Sequence, residues 1–150
     1  MSLQDIIREF PHLQIGDFVK TSDDDDGYNC IAWAIDSGRT DTRWDPTPLP
    51  GNYWPLDVPP GYTLDVFIVL YQKRCGYEPC DNGELEDGYE KLALYVDSYN
   101  EFAHVARQLP SGWWTSKLGD FDDISHITPF VLEADYGKVM AFMKRKRQTI

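Results

Sequence analysis

The stretch Tyr28-Asn29-Cys30-Ile31-Ala32-Trp33-Ala34-Ile35 predicts a short amphipathic helix that begins with a cysteine. Asn29 is a favourable N-cap, because its side-chain oxygen can accept from a backbone N–H of the first turn. Those N–H groups and the helix dipole favour a negative charge, and helix N-termini lower the pKa of a cysteine. Cys30 is therefore a candidate nucleophile. The alternative is that it packs as a small apolar residue without chemistry, as many free cysteines do.

Length and composition indicate one globular domain over residues 1–150, since 42% of the residues are hydrophobic. No apolar run is long enough to span a membrane, and the N-terminus lacks the pattern of a signal peptide. We therefore expect a cytoplasmic protein, with export by a signal-independent route left open. The net charge of −11 argues against non-specific nucleic-acid binding. The acidic surface either keeps the protein soluble or suits a basic partner. The basic residues 144–147 are predicted to be a solvated end.

The three cysteines predict neither a disulfide framework nor a zinc site. Their number is odd, so at least one is unpaired in a monomer. No second Cys/His pair lies near Cys75 and Cys80, and a disulfide is unexpected in a reducing cytosol. Residues 23–26 are consecutive aspartates, whereas the ligands of a calcium loop alternate, so this run is predicted to be a solvated loop. We expect no metal and no cofactor.

Hydrophobic periodicity changes along the chain from helical to strand-like spacing. It predicts three helices, over residues 2–10, 30–37 and 64–75. Between the last two, residues 39–61 are rich in proline and aromatics and predict an irregular loop. Strands are predicted over residues 89–96, 101–109, 113–119 and 138–144, with a short helical turn at Thr128-Pro129. The predicted fold class is α+β, with N-terminal helices packed on an antiparallel β-sheet.

His104 stands among apolar residues in the middle of a predicted strand, where a histidine needs either a core hydrogen bond or a catalytic role. Strand alternation places Phe102, His104 and Ala106 on one face. A hairpin turn centred on residue 111 sets Ala106 opposite Ser116, so that Ser116 projects beside His104. If the cysteine helix packs on that face, thiol, imidazole and hydroxyl have the layout of nucleophile, base and orienting group.

These motifs resemble a known family. Asn29-Cys30 with Ala32-Trp33-Ala34, followed by His104-Val105-Ala106, resembles the papain-like NlpC/P60 and CHAP cysteine hydrolases. The wider Tyr-Asn-Cys-Ile-Ala-Trp-Ala frame looks like that of a bacterial domain of unknown function. The resemblance implies an NlpC/P60-type fold, with residues 39–75 as an insertion. It also implies a third catalytic residue on the strand after the histidine, which here is Ser116. Serine departs from the family's usual His, Asn, Gln or acid, and His126 is the alternative.

The resemblance implies a thiol hydrolase or acyltransferase that acts on a peptide, amide or ester. Cys30 would attack the carbonyl, His104 would move the proton, and backbone N–H groups near Cys30 would stabilise the oxyanion. Tyr28, Trp114 and Lys117 are candidate substrate-binding residues, although a core or surface tyrosine is at least as common at the first position and an exposed strand lysine is more common at the last. The alternative function is a non-catalytic acidic interaction protein, an immunity or regulatory partner, that binds through its acidic and aromatic surface.

Overall fold

The computed structural model describes residues 2–14, 16–22, 27–35, 43–118 and 122–147. These residues form a mixed α+β fold. Its elements, in chain order, are α1 (Leu3–Glu9), β1 (Phe18–Lys20), α2 (Cys30–Ile35), β2 (Arg43–Trp44), β3 (Asn52–Tyr53), α3 (Leu64–Cys75), β4 (Glu78–Cys80), β5 (Tyr89–Val96), β6 (Phe102–Gln108), β7 (Trp114–Lys117), β8 (Asp123–His126), a 3₁₀ helix (Pro129–Leu132), α4 (Glu133–Tyr136) and β9 (Lys138–Lys146).

Seven strands form one antiparallel sheet in the order β1-β8-β7-β6-β5-β9-β4. The short strands β2 and β3 form a separate parallel pair. The predicted α+β class with a mostly antiparallel sheet is confirmed. The predicted gathering of helices at the N-terminus is wrong. The described helices are few, and α3 and α4 follow later in the chain, separated by most of the sheet.

The sheet separates two apolar clusters, because successive strand residues point to opposite faces. On β5, Leu92 and Leu94 face a cluster that contains α2 and α3, and we call this side the α2 face. Ala93 and Tyr95 face a cluster that contains Ile6 of α1, and we call this side the α1 face. Both faces of the central strands are therefore covered, which explains why β5 is buried along nearly its whole length.

Local sequence signals account for the positions of the helices. A capping box between Ser2 and Asp5 starts α1. Gly76 ends α3 with φ 73°, a left-handed conformation that favours glycine. Gly137 ends α4 with φ 96°, and a Cβ there would lie 2.1 Å from the carbonyl oxygen of Val96. Only glycine therefore allows the chain to turn so tightly from α4 into β9.

Several sequence-based expectations are corrected by the structure. The region predicted as an irregular loop contains the β2–β3 pair, and β4 and β8 were not predicted. The pairing of β5 with β6 shifts between Tyr95 and Val96, so Phe102 turns to the α2 face, where it stacks on Phe67 at 3.7 Å. The basic end is not freely solvated, because Arg145 and Arg147 pair with the buried Glu90. The aspartate run over residues 23–26 and the predicted helix end at Gly38 lie outside the described residues.

Candidate active site

Two histidines and a serine form a continuous hydrogen-bonded chain inside the protein. His104 Nε2 lies 2.9 Å from Ser116 Oγ, and Ser116 Oγ lies 2.8 Å from His126 Nε2. His126 Nδ1 lies 2.8 Å from the carbonyl oxygen of Thr128. The three side chains come from β6, β7 and β8, which are adjacent in the sheet, and all three residues are completely buried. The structure therefore brings together His104, Ser116 and the alternative third residue, His126.

The acceptor at one end of this chain fixes the position of each proton. The Thr128 carbonyl can only accept, so His126 Nδ1 carries the hydrogen and the neutral ring offers Nε2 as an acceptor. The Ser116 hydroxyl must then donate to His126 Nε2, and its oxygen accepts from His104 Nε2–H. His104 Nδ1 is left as an unprotonated nitrogen. It is buried and has no hydrogen-bond partner among the described residues.

Burial keeps both imidazoles neutral. Desolvation, and secondly the charge of His126, lower the pKa of His104 to about 3. Desolvation also lowers the pKa of His126 to about 4, although its bond to the Thr128 carbonyl acts in the opposite direction. The ring of Tyr136 stacks on the His104 ring at 4.2 Å and 12°, while Tyr95 meets its edge at 5.1 Å. His104 is therefore held in one orientation on the α1 face.

Asn29 fixes the beginning of α2, as the sequence predicts. Its Oδ1 accepts from the backbone N–H of Ala32 at 3.1 Å, which is an N-cap bond. The same side chain binds both backbone groups of Trp44, donating to its oxygen at 2.7 Å and accepting from its nitrogen at 3.3 Å. Trp33 donates its indole N–H to Thr115 Oγ1 on β7 at 3.0 Å. Asn29 and Trp33 thus hold Cys30 in a defined position against the sheet.

The thiol of Cys30 is not the low-pKa group that its position at a helix start predicts. Desolvation raises its pKa to about 11. The backbone N–H groups of Val105, Ile31 and Cys30 itself lower the pKa, but by less than burial raises it. At neutral pH the thiol is protonated, so any role as nucleophile requires a base to remove the proton during the reaction.

Cys30 and His104 lie on opposite sides of β6. The helix α2 packs against β6 and β7 on the face of Val105, whereas the His104 ring lies among α1-face residues. The expectation that α2 covers the same face as His104 is therefore wrong. The thiol is close to the strand backbone, because the N–H of Val105 acts on its pKa. Tyr136, which stacks on His104, also has its pKa raised by burial and by charge on Cys30.

The three predicted substrate-binding residues are buried. The Tyr28 hydroxyl donates to Asp123 Oδ2 at 2.5 Å, and Lys117 Nζ lies 4.8 Å above the Tyr28 ring. Tyr28 and Lys117 are thus part of a polar cluster near the start of α2. Burial raises the pKa of Asp123, and the bond from Tyr28 acts against that shift. Trp114 belongs to the apolar cluster of the α1 face.

Sequence reasoning missed Tyr136 and Asp123. The motif Tyr136-Gly137 marks a turn, but nothing in it indicates a ring stacked on His104. Asp123 lies in a polar stretch that does not look like a strand.

All three cysteines are described, and each is a free thiol. Within the described residues, no cluster of His, Cys, Asp and Glu could hold a metal ion. The same residues contain no helix with the length and apolar character needed to cross a membrane.

A family model for a domain of unknown function, DUF7689, matches residues 19–144. The chain belongs to this family. The match runs from β1 into β9, so the DUF7689 region contains Cys30, His104, Ser116 and His126. No curated protein matches the chain, and no solved structure does. Neither a relative nor a structural neighbour therefore assigns an activity to this DUF7689 domain.

Proposed function

We propose that the protein is a papain-like thiol hydrolase or acyltransferase of NlpC/P60 type that acts on an amide or ester bond. The observation that carries this proposal is the unprotonated, unpartnered Nδ1 of His104. A buried nitrogen without a hydrogen-bond partner is costly, and a catalytic role is one of the reasons for which proteins retain such an atom. The chain through Ser116 and His126 supports the role, because it holds His104 in the tautomer that has a free base.

In the proposed reaction, Cys30 Sγ attacks the carbonyl carbon while the thiol proton moves to His104 Nδ1. The carbonyl becomes a tetrahedral oxyanion, which the N–H groups around the sulfur, including those of Val105 and Ile31, can stabilise. Collapse of this intermediate expels an amine or alcohol, which takes the proton from His104 and leaves a thioester on Cys30. Attack by water or by a second nucleophile then releases the acyl group.

The Cys30 thiol and the His104 imidazole are both neutral at rest. Neutral groups fit a general-base mechanism better than a mechanism that starts from a preformed thiolate. The pKa of Cys30 is about 11 and that of His104 about 3, so the pair rests as thiol and imidazole. The proton must therefore move during attack. Because the two side chains lie on opposite faces of β6 in this structure, the step also requires a local rearrangement that brings Sγ to Nδ1.

An acyl-enzyme experiment tests the proposal. The protein is mixed with p-nitrophenyl acetate, and the modified residue is identified by mass spectrometry while nitrophenol release is followed. We expect one acetyl group on Cys30 and continued turnover, both abolished in Cys30→Ser and retained in Cys75→Ser. Cys75 is a suitable control because it is also a half-buried free thiol with a raised pKa. Acetylation of all cysteines alike, or none at Cys30, would refute the proposal.

The hydrogen-bonded chain of His104, Ser116 and His126 is completely buried, as a purely structural network would be. This burial favours a second function, the non-catalytic acidic interaction protein. His104, Ser116 and His126 each have an exposed fraction of 0%, and such networks also serve to specify a core. In that case Cys30 forms no acyl adduct, while substitutions in the histidine chain still destabilise the fold.

A further inference from the structure

Three large apolar side chains are exposed around a single cleft. Leu85, Ile127 and Phe130 have exposed fractions of 55%, 45% and 55%. All three line a cleft of about 430 Å³, at whose wall Trp114 and Phe142 also lie. Single exposed apolar residues are common, but a group of them around a concave surface is typical of a binding site. The cleft contains neither Cys30 nor His104.

Buried side chains hold the first wall of the cleft, residues 81–85, against the sheet. Gln108 Nε2 donates to the carbonyl oxygen of Gly83 at 3.0 Å. Lys91 Nζ donates to both oxygens of Asn82 at 3.1 Å. A Cβ on Gly83 would lie 2.5 Å from the Phe142 ring, so the loop backbone lies directly on that ring. The exposure of Leu85 is therefore not the result of a loose loop.

The second wall, residues 127–130, is fixed in the same way. His126 Nδ1–H donates to the carbonyl oxygen of Thr128 at 2.8 Å, and the Tyr95 hydroxyl donates to that of Pro129 at 2.5 Å. With both walls anchored, the cleft exists before any ligand binds. A preformed site avoids much of the entropic cost of ordering loops on association.

The charged residues that line the cleft are acidic. Asp81 and Glu84 stand at its edge, and the described lining contains neither lysine nor arginine. The whole chain has a net charge of −11, so the surrounding potential adds to the local one. We propose that the cleft is a docking site for a segment of a partner protein that presents apolar side chains next to lysine or arginine. This proposal does not depend on the thiol chemistry.

Three synthetic peptides test the proposal by NMR on the labelled full-length chain. The first alternates lysine with leucine and phenylalanine, the second replaces its lysines by glutamate, and the third replaces its apolar residues by glycine. We expect only the first peptide to shift the signals of Leu85, Ile127 and Phe130. The His126 ring signals offer an internal reporter, because the imidazole is bonded to the cleft wall.

Matched variants make the result specific. Leu85→Ser should weaken the binding of the first peptide about tenfold, the loss expected when a leucine is no longer buried. Leu49→Ser should leave binding unchanged, since Leu49 is equally exposed, at 59%, but lies outside the lining. Asp81→Asn combined with Glu84→Gln should reduce both the affinity and its dependence on salt.

Four results would overturn the proposal. They are no shift at the cleft, equal shifts with all three peptides, shifts spread over the acidic surface, and an affinity that Leu85→Ser leaves unchanged. Sedimentation of the wild type tests whether a second copy of this chain occupies the cleft instead. Self-association that Leu85→Ser abolishes would identify the second copy as the ligand and reject the basic segment. None of these variants alters Cys30 or His104. Rejection of the docking proposal would therefore leave the proposed thiol chemistry standing, and rejection of the thiol chemistry would leave the docking proposal standing.

Discussion

Acidification should destabilise the protein through its two buried histidines. Burial lowers the pKa of His104 to about 3 and that of His126 to about 4, against 6.5 for an exposed histidine. Between about pH 6.5 and pH 4, the two histidines of the unfolded chain therefore bind protons, whereas the same histidines in the folded chain do not. The stabilisation by the neutral rings is fully present above pH 6.5 and is lost as the pH falls towards the folded pKa values.

The size of the effect follows from the number of protons. Each proton bound only by the unfolded state changes the free energy of unfolding by about 1.4 kcal/mol per pH unit. Near pH 5.5 about 90% of unfolded histidines are protonated, so the two residues together contribute about 2–3 kcal/mol per pH unit. A domain with a total stability of about 5–15 kcal/mol would lose a large part of it by pH 4.5.

Urea denaturation at several values between pH 7 and pH 5, followed by tryptophan fluorescence, measures this slope. Asp123 and Asp135 change the slope in the opposite direction, because burial raises their pKa. The wild-type slope is therefore the sum of the histidine and aspartate contributions. The contribution of His104 is isolated by His104→Phe, which keeps an aromatic ring against Tyr136 and should reduce the slope by about 1.4 kcal/mol per pH unit. His12 is exposed, so His12→Gln should change the slope far less than His104→Phe, and only through Asp135, whose pKa the charge of His12 lowers. An unchanged slope in His104→Phe would refute the assignment of a buried neutral imidazole.

Three other substitutions test parts of the structure by the free energy of unfolding. Ser116→Ala removes the partner of two buried imidazole nitrogens and should cost about 2–5 kcal/mol, whereas Ser125→Ala, on the opposite face of the sheet, should cost less than about 1 kcal/mol. An equal loss of unfolding free energy in the two variants would contradict the hydrogen-bonded chain through Ser116. Gly137→Ala drives a Cβ to 2.1 Å from the carbonyl oxygen of Val96 and should cost more than about 3 kcal/mol; a neutral result would place the turn elsewhere. Glu90→Gln leaves neighbouring guanidinium groups without their carboxylate and should cost about 3 kcal/mol, so a cost below about 1 kcal/mol would show the cluster to be solvated.

The elements that the sequence predicts well are those whose signals are local. The helix α3 has regular apolar spacing and a glycine at its end, and β5 and β6 are long apolar strands joined by a short turn. The missed strands lack such signals. The edge strand β4 contains Pro79, which usually argues against a strand. The strand β8 buries Asp123 and His126, and Tyr28, the partner of Asp123, is distant from it in sequence.

The contact between His104 and Ser116 could be predicted because it follows from the register of a hairpin. Pairing of Arg107 with Thr115 continues to Ala106 opposite Ser116, which is the register that the turn suggests. The face on which α2 packs could not be predicted, since it depends on how the chain crosses the sheet and not on any local pattern. The pKa of Cys30 was predicted in the wrong direction, because the cost of burying its charge exceeds the effect of the backbone N–H groups.

The central claim is that His104 acts as the base for Cys30. The most direct test is the acetylation rate of Cys30 by p-nitrophenyl acetate as a function of pH, in wild type and in His104→Phe. With His104 as base and both groups neutral at rest, the wild-type rate should stay flat from pH 5.5 to pH 8. In His104→Phe the rate should be lower and rise about tenfold per pH unit, as for an unassisted thiol. Identical profiles that both rise tenfold per pH unit would contradict the claim.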